Sequence, residues 1–356
     1  MDLQQISAAI KPLDQQAMEN ARQYQDTLVK PAGSLGALER ISIQMAGITG
    51  QVKNTLSHKA HYLLGADNGV YAEGIAAAPQ EFTRMLMEFY SRGVNCAITV
   101  LCHRHQIKLH LVDMGIIGPV AGNVRQIKLM QGTNNMFREP AMPREIAEKA
   151  VENGFLLVKE AVEQGYDIIG AGEVGMGNTT TAAACIKAAL GDTDPDHGVG
   201  RGAGLTDQAY EQKKQVIAGA LALHHPDASD FLDILTKVGG LDIAGMCGMY
   251  IGAAYYRKPI VLDGVISIAA ALLAYKFNPL TREFMIPSHV SEEPAYAMAC
   301  QAMDLKPLMI LDMRLGEGSG CPIAIGIIED ALSIINEMNT FAETALSTDY
   351  QAGIKA

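Results

Sequence analysis

From His61 onward the chain repeats one texture: a short apolar run ending near an Asp or Gly, a loop, then a longer amphipathic stretch. The apolar runs fall at 61–66, 107–112, 126–130, 167–170, 259–262, 283–286 and 308–311. Helical spacing fills 95–103, 144–164, 179–190, 207–223, 245–256, 266–276 and 292–303. Strands alternating with helices define βαβ units. The expected fold class is therefore α/β: a mostly parallel, Rossmann-like sheet flanked by helices. Residues 1 to about 50 read as helices broken by a Pro-Gly turn, and the chain ends in helices over 322–338 and 341–345. The expected division is a small helical domain from both ends (1–50 plus 322–356) and a large α/β substrate-binding domain (51–321).

A chain of 356 residues, 49% hydrophobic and 19% charged, buries a core without staples. Its formal net charge is -11 and it has no Lys/Arg-rich run, which argues against nucleic acid or an anionic membrane as partner. An anionic substrate must be held locally by a few donors. The six cysteines form no C-x-x-C and no zinc spacing, so they read as buried thiols of a reducing compartment. The start, MDLQQISAAIKPLDQQ, is polar without a signal-peptide core, and no apolar run is long enough to span a bilayer. A cytoplasmic protein with no metal is the expectation.

In open α/β sheets ligands sit outside the carboxyl ends of the strands. That singles out the loops DNGVYAEGIAAAPQEFT, DMGI, GEVGMGNTTT, DGVIS, PSHVS and MRLGEGSG. Within the third, Gly170, Gly172 and Gly175 satisfy G-x-G-x-x-G, a dinucleotide pattern that would make the chain an NAD-dependent oxidoreductase. The helix formers begin only at Thr179, however, and Glu173 would push a charge toward the phosphates. A site for one phosphate fits better: Asn178, Thr179 and Thr180 are capping residues at a helix start, and glycines let backbone N–H groups converge on an anion. Gly198, Gly200, Gly202 and Gly204 alternate with small residues and Arg201. Lys213 and Lys214 follow on the next helix, where one Lys reaches a phosphate as a point charge.

In MRLGEGSG, Glu317 lies between two glycines, just before a helix with Pro322 in its first turn. Glycine on both sides lets a substrate approach closely and leaves the carboxylate uncovered, as a general base requires; an exposed loop acid is the equal alternative. Asp242 and Asp263 read as capping residues. His289 reads equally as a site residue or a structural histidine.

The segments KPAGSLGALE (30–39), GAGEVGMGNTTTAAA (170–184), KVGGLDIAGMCG (237–248), LDGVISIAAAL (262–272), PSHVSEE (287–293) and MRLGEGSG (313–320) together resemble the nicotinate-nucleotide–dimethylbenzimidazole phosphoribosyltransferase family. The resemblance runs in order from about Lys30 to Asp330. It implies a parallel α/β domain with a small helical domain, usually a homodimer, and no metal or organic cofactor. It implies transfer of phosphoribose from nicotinate mononucleotide to 5,6-dimethylbenzimidazole, giving α-ribazole 5'-phosphate and nicotinate with inversion at C1'. Glu317 is then the general base. Phosphate contacts fall to Gly175, Met176, Gly177, Asn178, Thr179 and Thr180, to Gly202 and Ala203, and to Lys213. Arg314 and Ser291 partner the nicotinate carboxylate or the ribose, Leu315 and Gly316 are substrate-binding, and Glu173 holds a ribose hydroxyl or orients Lys213.

The acceptor pocket that the resemblance assigns to Ala78, Phe82, Leu86 and Val174 departs from the family's pattern. Asp67-Asn68-Gly69-Val70 replaces D-H-G-V, Ala78-Pro79 replaces S-P, and Leu86 stands at a usually polar position. A pocket without polar contacts cannot choose its acceptor by hydrogen bonds. Two branches fit: a benzimidazole enzyme with a relaxed pocket, or a phenol-activating enzyme that transfers to phenol or p-cresol as one subunit of a heterodimer of paralogs. A non-catalytic supporting subunit is the further alternative, and the intact RLGEGSG argues against it.

Overall fold

In a computed structural model, which describes residues 2–344 and Leu346, six strands form one parallel sheet. They are β1 (Lys59–Ala66), β2 (Lys108–Gly115), β3 (Arg125–Gln126), β4 (Ile168–Val174), β5 (Ile260–Leu262) and β6 (Met285–Pro287), in the order β3-β2-β1-β4-β5-β6. The chain builds outward from β1 on one side and then returns to build outward from β4 on the other. This is the Rossmann order, and its switch point lies between β1 and β4. Both central strands are buried at every position, as expected where helices cover both faces.

The helices are α1 (Leu3–Ala9), α2 (Gln15–Thr27), α3 (Ala37–Thr49), α4 (Phe82–Ser91), α5 (Ala97–Arg104), α6 (Arg144–Glu163), α7 (Asn178–Leu190), α8 (Asp207–His224), α9 (Phe231–Val238), α10 (Leu241–Tyr255), α11 (Val265–Phe277), α12 (Pro294–Met303) and α13 (Gly320–Glu337). Helices α6 and α10 cross with their backbones nearly touching: a Cβ at Gly154 or Gly248 would collide with the main chain of the other helix. At the chain ends, Ala17 and Ala21 of α2, Ala46 of α3 and Ile335 of α13 form a satellite cluster. A backbone bridge between Leu28 and Thr340 closes it. Ile41, Met45 and Ile48 on α3 also belong to the main core.

Three expectations are corrected. Residues 308–311 are not a strand. Leu308 and Met309 bond to the backbone at and just beyond the end of β6, with one bridge from Met309 to His289, and pack on the core, whereas Ile310 and Leu311 face solvent. The expected strand over 126–130 shrinks to Arg125–Gln126. The final helix is a single 3-10 turn, Phe341–Glu343, with Ala345 outside the described residues. Two helices escaped the sequence reading, α4 and α9.

Candidate active site

A cavity of about 260 Å3 opens at the carboxyl ends of β1, β4 and β5, beside the switch point. Its floor differs from expectation. Strand β4 continues through Val174, so Gly170, Gly172 and Glu173 belong to the strand and the loop is only Gly175-Met176-Gly177. The glycines of the strand serve packing. A Cβ at Gly170 would press on His61, and one at Gly172 would overlap the backbone of Gly318 and Glu317. The dinucleotide pattern is therefore spent within the sheet, and the first helical turn opens after Gly177, which takes φ 90°.

Part of the cavity is lined by main chain at a helix start. Gly175, Met176, Gly177, Asn178 and Thr179 line it from the α7 N-terminus, and Arg201, Gly202 and Ala203 face them. A helix N-terminus favours negative charge. Behind this wall, the fully buried Lys213 donates from Nζ to Thr179 Oγ1 (3.0 Å) and to the Gly200 carbonyl (2.8 Å). Glu293 accepts from Gly202 N at 2.6 Å and lies 3.7 Å from Lys213 Nζ. Lys213 is thus held by Glu293, Thr179 and Gly200, not by Glu173. Thr180 is buried away from the cavity. Thr83 of α4, which the sequence reading missed, fixes the loop by accepting from Met176 N (3.1 Å).

The middle of the cavity is acidic. Glu173 accepts from Asn178 Nδ2, which also donates to Asp242 Oδ2 (3.1 Å). Burial and the charges of Asp242 and Asp263 push the Glu173 carboxyl well up, and burial lifts Asp242 to about 6. Glu317 projects from a left-handed backbone, φ 63°, between Gly316 at 82° and Gly318 at 72°. Its Oε2 is buried beside the Tyr90 hydroxyl of α4, with which it interacts outside ideal hydrogen-bond geometry. Burial raises the Glu317 carboxyl; the nearby Tyr90 hydroxyl opposes the rise, and the Asp263 charge adds to it.

Apolar side chains make up much of the remaining lining: Ile75, Ala76, Ala77, Ala78, Leu86, Val174 and Leu315, with Ile75 packed close to Gly177. Phe82, expected here, does not line the cavity; at the first turn of α4 it points outward and is 40% exposed. Asn68 is buried behind the wall. Ser291, Arg314 and Gly316 line the cavity as expected, and His289 joins them, with its Nδ1 2.9 Å from Ser288 Oγ. The sequence reading also missed Glu293 as a cavity residue. Its position just after PSHVS was visible, but the pairing with Gly202 depends on chain brought together across the fold.

A doubly wound parallel sheet with a glycine-lined, partly acidic cavity at its switch point defines an α/β protein with a small-molecule site. The comparisons narrow the class. The family model described as Phosphoribosyltransferase matches residues 10–346, and the chain belongs to that family. It is 44% identical to the nicotinate-nucleotide--dimethylbenzimidazole phosphoribosyltransferase of Clostridium tetani (strain Massachusetts / E88), over 97% of this chain and 95% of that protein. It is 42% identical to the protein of the same name from Chloroflexus aggregans (strain MD-66 / DSM 9485), over 96% and 97%. Among solved structures, CobT from Thermus thermophilus superposes with a TM-score of 0.89 at 36% identity, covering 94% of this chain and 99% of that one.

Proposed function

We propose that this chain transfers phosphoribose from nicotinate mononucleotide to 5,6-dimethylbenzimidazole, releasing nicotinate and forming α-ribazole 5'-phosphate. The observation that carries the reading is the placement of Glu317: its Oε2 is buried, beside the Tyr90 hydroxyl, and the residue lines a cavity that also includes the glycine-rich start of α7 and several apolar side chains. The 5'-phosphate sits at the α7 N-terminus against Gly175–Thr179 and Gly202, with the Lys213 charge behind it. The pyridinium is already cationic, so the bond from C1' to its nitrogen breaks without an acid. The bare ring nitrogen of the benzimidazole attacks C1' from the opposite face. The proton on its second nitrogen passes to Glu317. Positive charge spreads over the ribose in the transition state, as in glycoside cleavage, and the Glu317 carboxylate, once ionised, favours it.

The apolar lining supports a second acceptor class. Ala78, Leu86 and Val174 offer a ring no polar side-chain partner, so a phenol fits as well as a benzimidazole. A phenol depends more heavily on Glu317, because its hydroxyl proton must leave. The partly exposed Phe82, Met85 and Phe89 on α4 give an apolar face that suits pairing with a second copy of the chain. A cytoplasmic compartment is consistent with buried free thiols.

The reading is tested by giving the purified protein nicotinate mononucleotide with equal dimethylbenzimidazole and p-cresol and weighing the products. A benzimidazole riboside phosphate supports the main reading. A phenolic riboside phosphate as the dominant product supports the second, and free ribose phosphate alone contradicts both.

A further inference from the structure

Glu317 occupies a backbone conformation that costs a non-glycine residue free energy, so something must hold it there. Its own carboxylate meets the Tyr90 hydroxyl of α4, a side-chain contact that does not fix the backbone of the loop. The loop is held one residue away on the chain. Asp263, at the carboxyl end of β5, accepts from Gly318 N through Oδ2 (3.1 Å) and from Gly320 N through Oδ1 (2.8 Å). Asp263 is itself fixed. Its backbone N–H donates to Ser267 Oγ (3.0 Å), which shares a 2.6 Å hydrogen bond with the buried Tyr250 hydroxyl. The loop rests on Gly172 and on the buried His61 ring, where a Cβ at Gly172 or Gly318 would collide.

We propose that Asp263 is the positioning residue for Glu317, its two carboxylate oxygens clamping the N–H groups of Gly318 and Gly320 so that the Glu317 carboxylate is delivered into the cavity. The inference rests on the reading of Glu317 as general base. Asp263 acts through main-chain geometry and not on the substrate. The clamp also ties the β5 edge to the start of α13, so the base is set by the sheet and not by the loop alone.

The test is a double-mutant cycle in the full-length protein: Asp263→Asn, Glu317→Gln and the pair, measured for kcat, for KM toward nicotinate mononucleotide, and for the pH dependence of kcat. Asparagine keeps one acceptor oxygen but presents an NH2 group to the second N–H. Asp263→Asn is expected to lower kcat roughly 10- to 100-fold, the size of a sub-ångström to 1 Å misplacement, with KM changed by less than about 3-fold. With the Asp263 charge gone, the acid limb of its pH profile should move to lower pH, and the pair should be no slower than Glu317→Gln. Losses that multiply would show Asp263 acting independently and would overturn the clamp. So would parent-like turnover by Asp263→Asn while Glu317→Gln is inactive. Parent-like turnover by Glu317→Gln overturns the base assignment and with it the purpose of the clamp, a failure read from a different variant. If Asp263→Asn does not fold, Ser267→Ala, which frees the Asp263 backbone but leaves its carboxylate, should show a smaller loss with the same non-additivity. Multiplying losses there are equally contradictory.

Discussion

Lys213 Nζ stands 3.7 Å from Glu293 Oε2, with the lysine side chain wholly buried and the glutamate 9% exposed. Burial pulls the lysine pKa down and Glu293 opposes the fall. The pair places a compensated cation directly behind the glycine-lined wall of the cavity. Removing one member leaves a buried charge alone, which costs about 3 kcal/mol or more.

Lys213→Ala is therefore expected to lower the melting temperature and raise KM for nicotinate mononucleotide at least about 10-fold, with a smaller effect on kcat. Adding Glu293→Gln should recover part of the stability and none of the affinity. Calorimetry and steady-state kinetics separate the two. Full recovery of KM in the double variant would remove Lys213 from phosphate binding.

The raised Glu317 carboxyl fixes the sign of a pH effect. A base works only when ionised, so kcat/KM should climb with pH along an acid limb whose midpoint lies above the ordinary glutamate range. Tyr90→Phe removes the hydroxyl that opposes the rise and should move the midpoint further up. A midpoint at or below the usual range, in either protein, would mean that another group limits the rate.

Asp242 is lifted to about 6 by burial, so below that pH it holds its proton in the folded chain. The folded chain binds this proton more tightly than the unfolded chain, and the associated stability is present below the ordinary aspartate range and lost as pH rises through about 6. Asp242→Asn carries no such charge. Its melting temperature relative to the parent should improve steadily between pH 4 and pH 7, whatever its starting difference. A constant difference across that range would show Asp242 staying ionised throughout.

Ala78 and Leu86 both line the cavity. Ala78→Ser with Leu86→Gln supplies a hydroxyl and an amide facing the acceptor ring. The ratio of benzimidazole to phenol product should rise about 10-fold or more, since each polar contact separates substrates by about 1 kcal/mol. An unchanged ratio in the competition assay would place the acceptor elsewhere.

The period of apolar runs was enough to expect the parallel sheet, and glycine placement was enough to find the loops. What escaped was set by distant chain. Gly170 and Gly172 look like turn glycines in sequence, yet they are strand positions stripped of side chains to admit His61 and the Glu317 loop. Helix α4 begins after a Pro-containing stretch without a side-chain cap, so Thr83 and Tyr90 gave no local sign of reaching the site. Asp263 was legible as a strand-end acid, but not its two backbone partners more than fifty residues later. Residues 308–311 carry a strand's composition, but pairing beyond β6 stops at Met309 and Ile310 and Leu311 turn to solvent.

The most direct measurement is single-turnover transfer by Glu317→Gln beside its affinity for nicotinate mononucleotide by calorimetry. Glutamine keeps the shape and takes no proton. The expected result is affinity within a few-fold of the parent and a rate lower by about 100-fold or more, the usual share of a general base. A rate near the parent's with affinity intact would contradict the role given to Glu317 and the mechanism built on it.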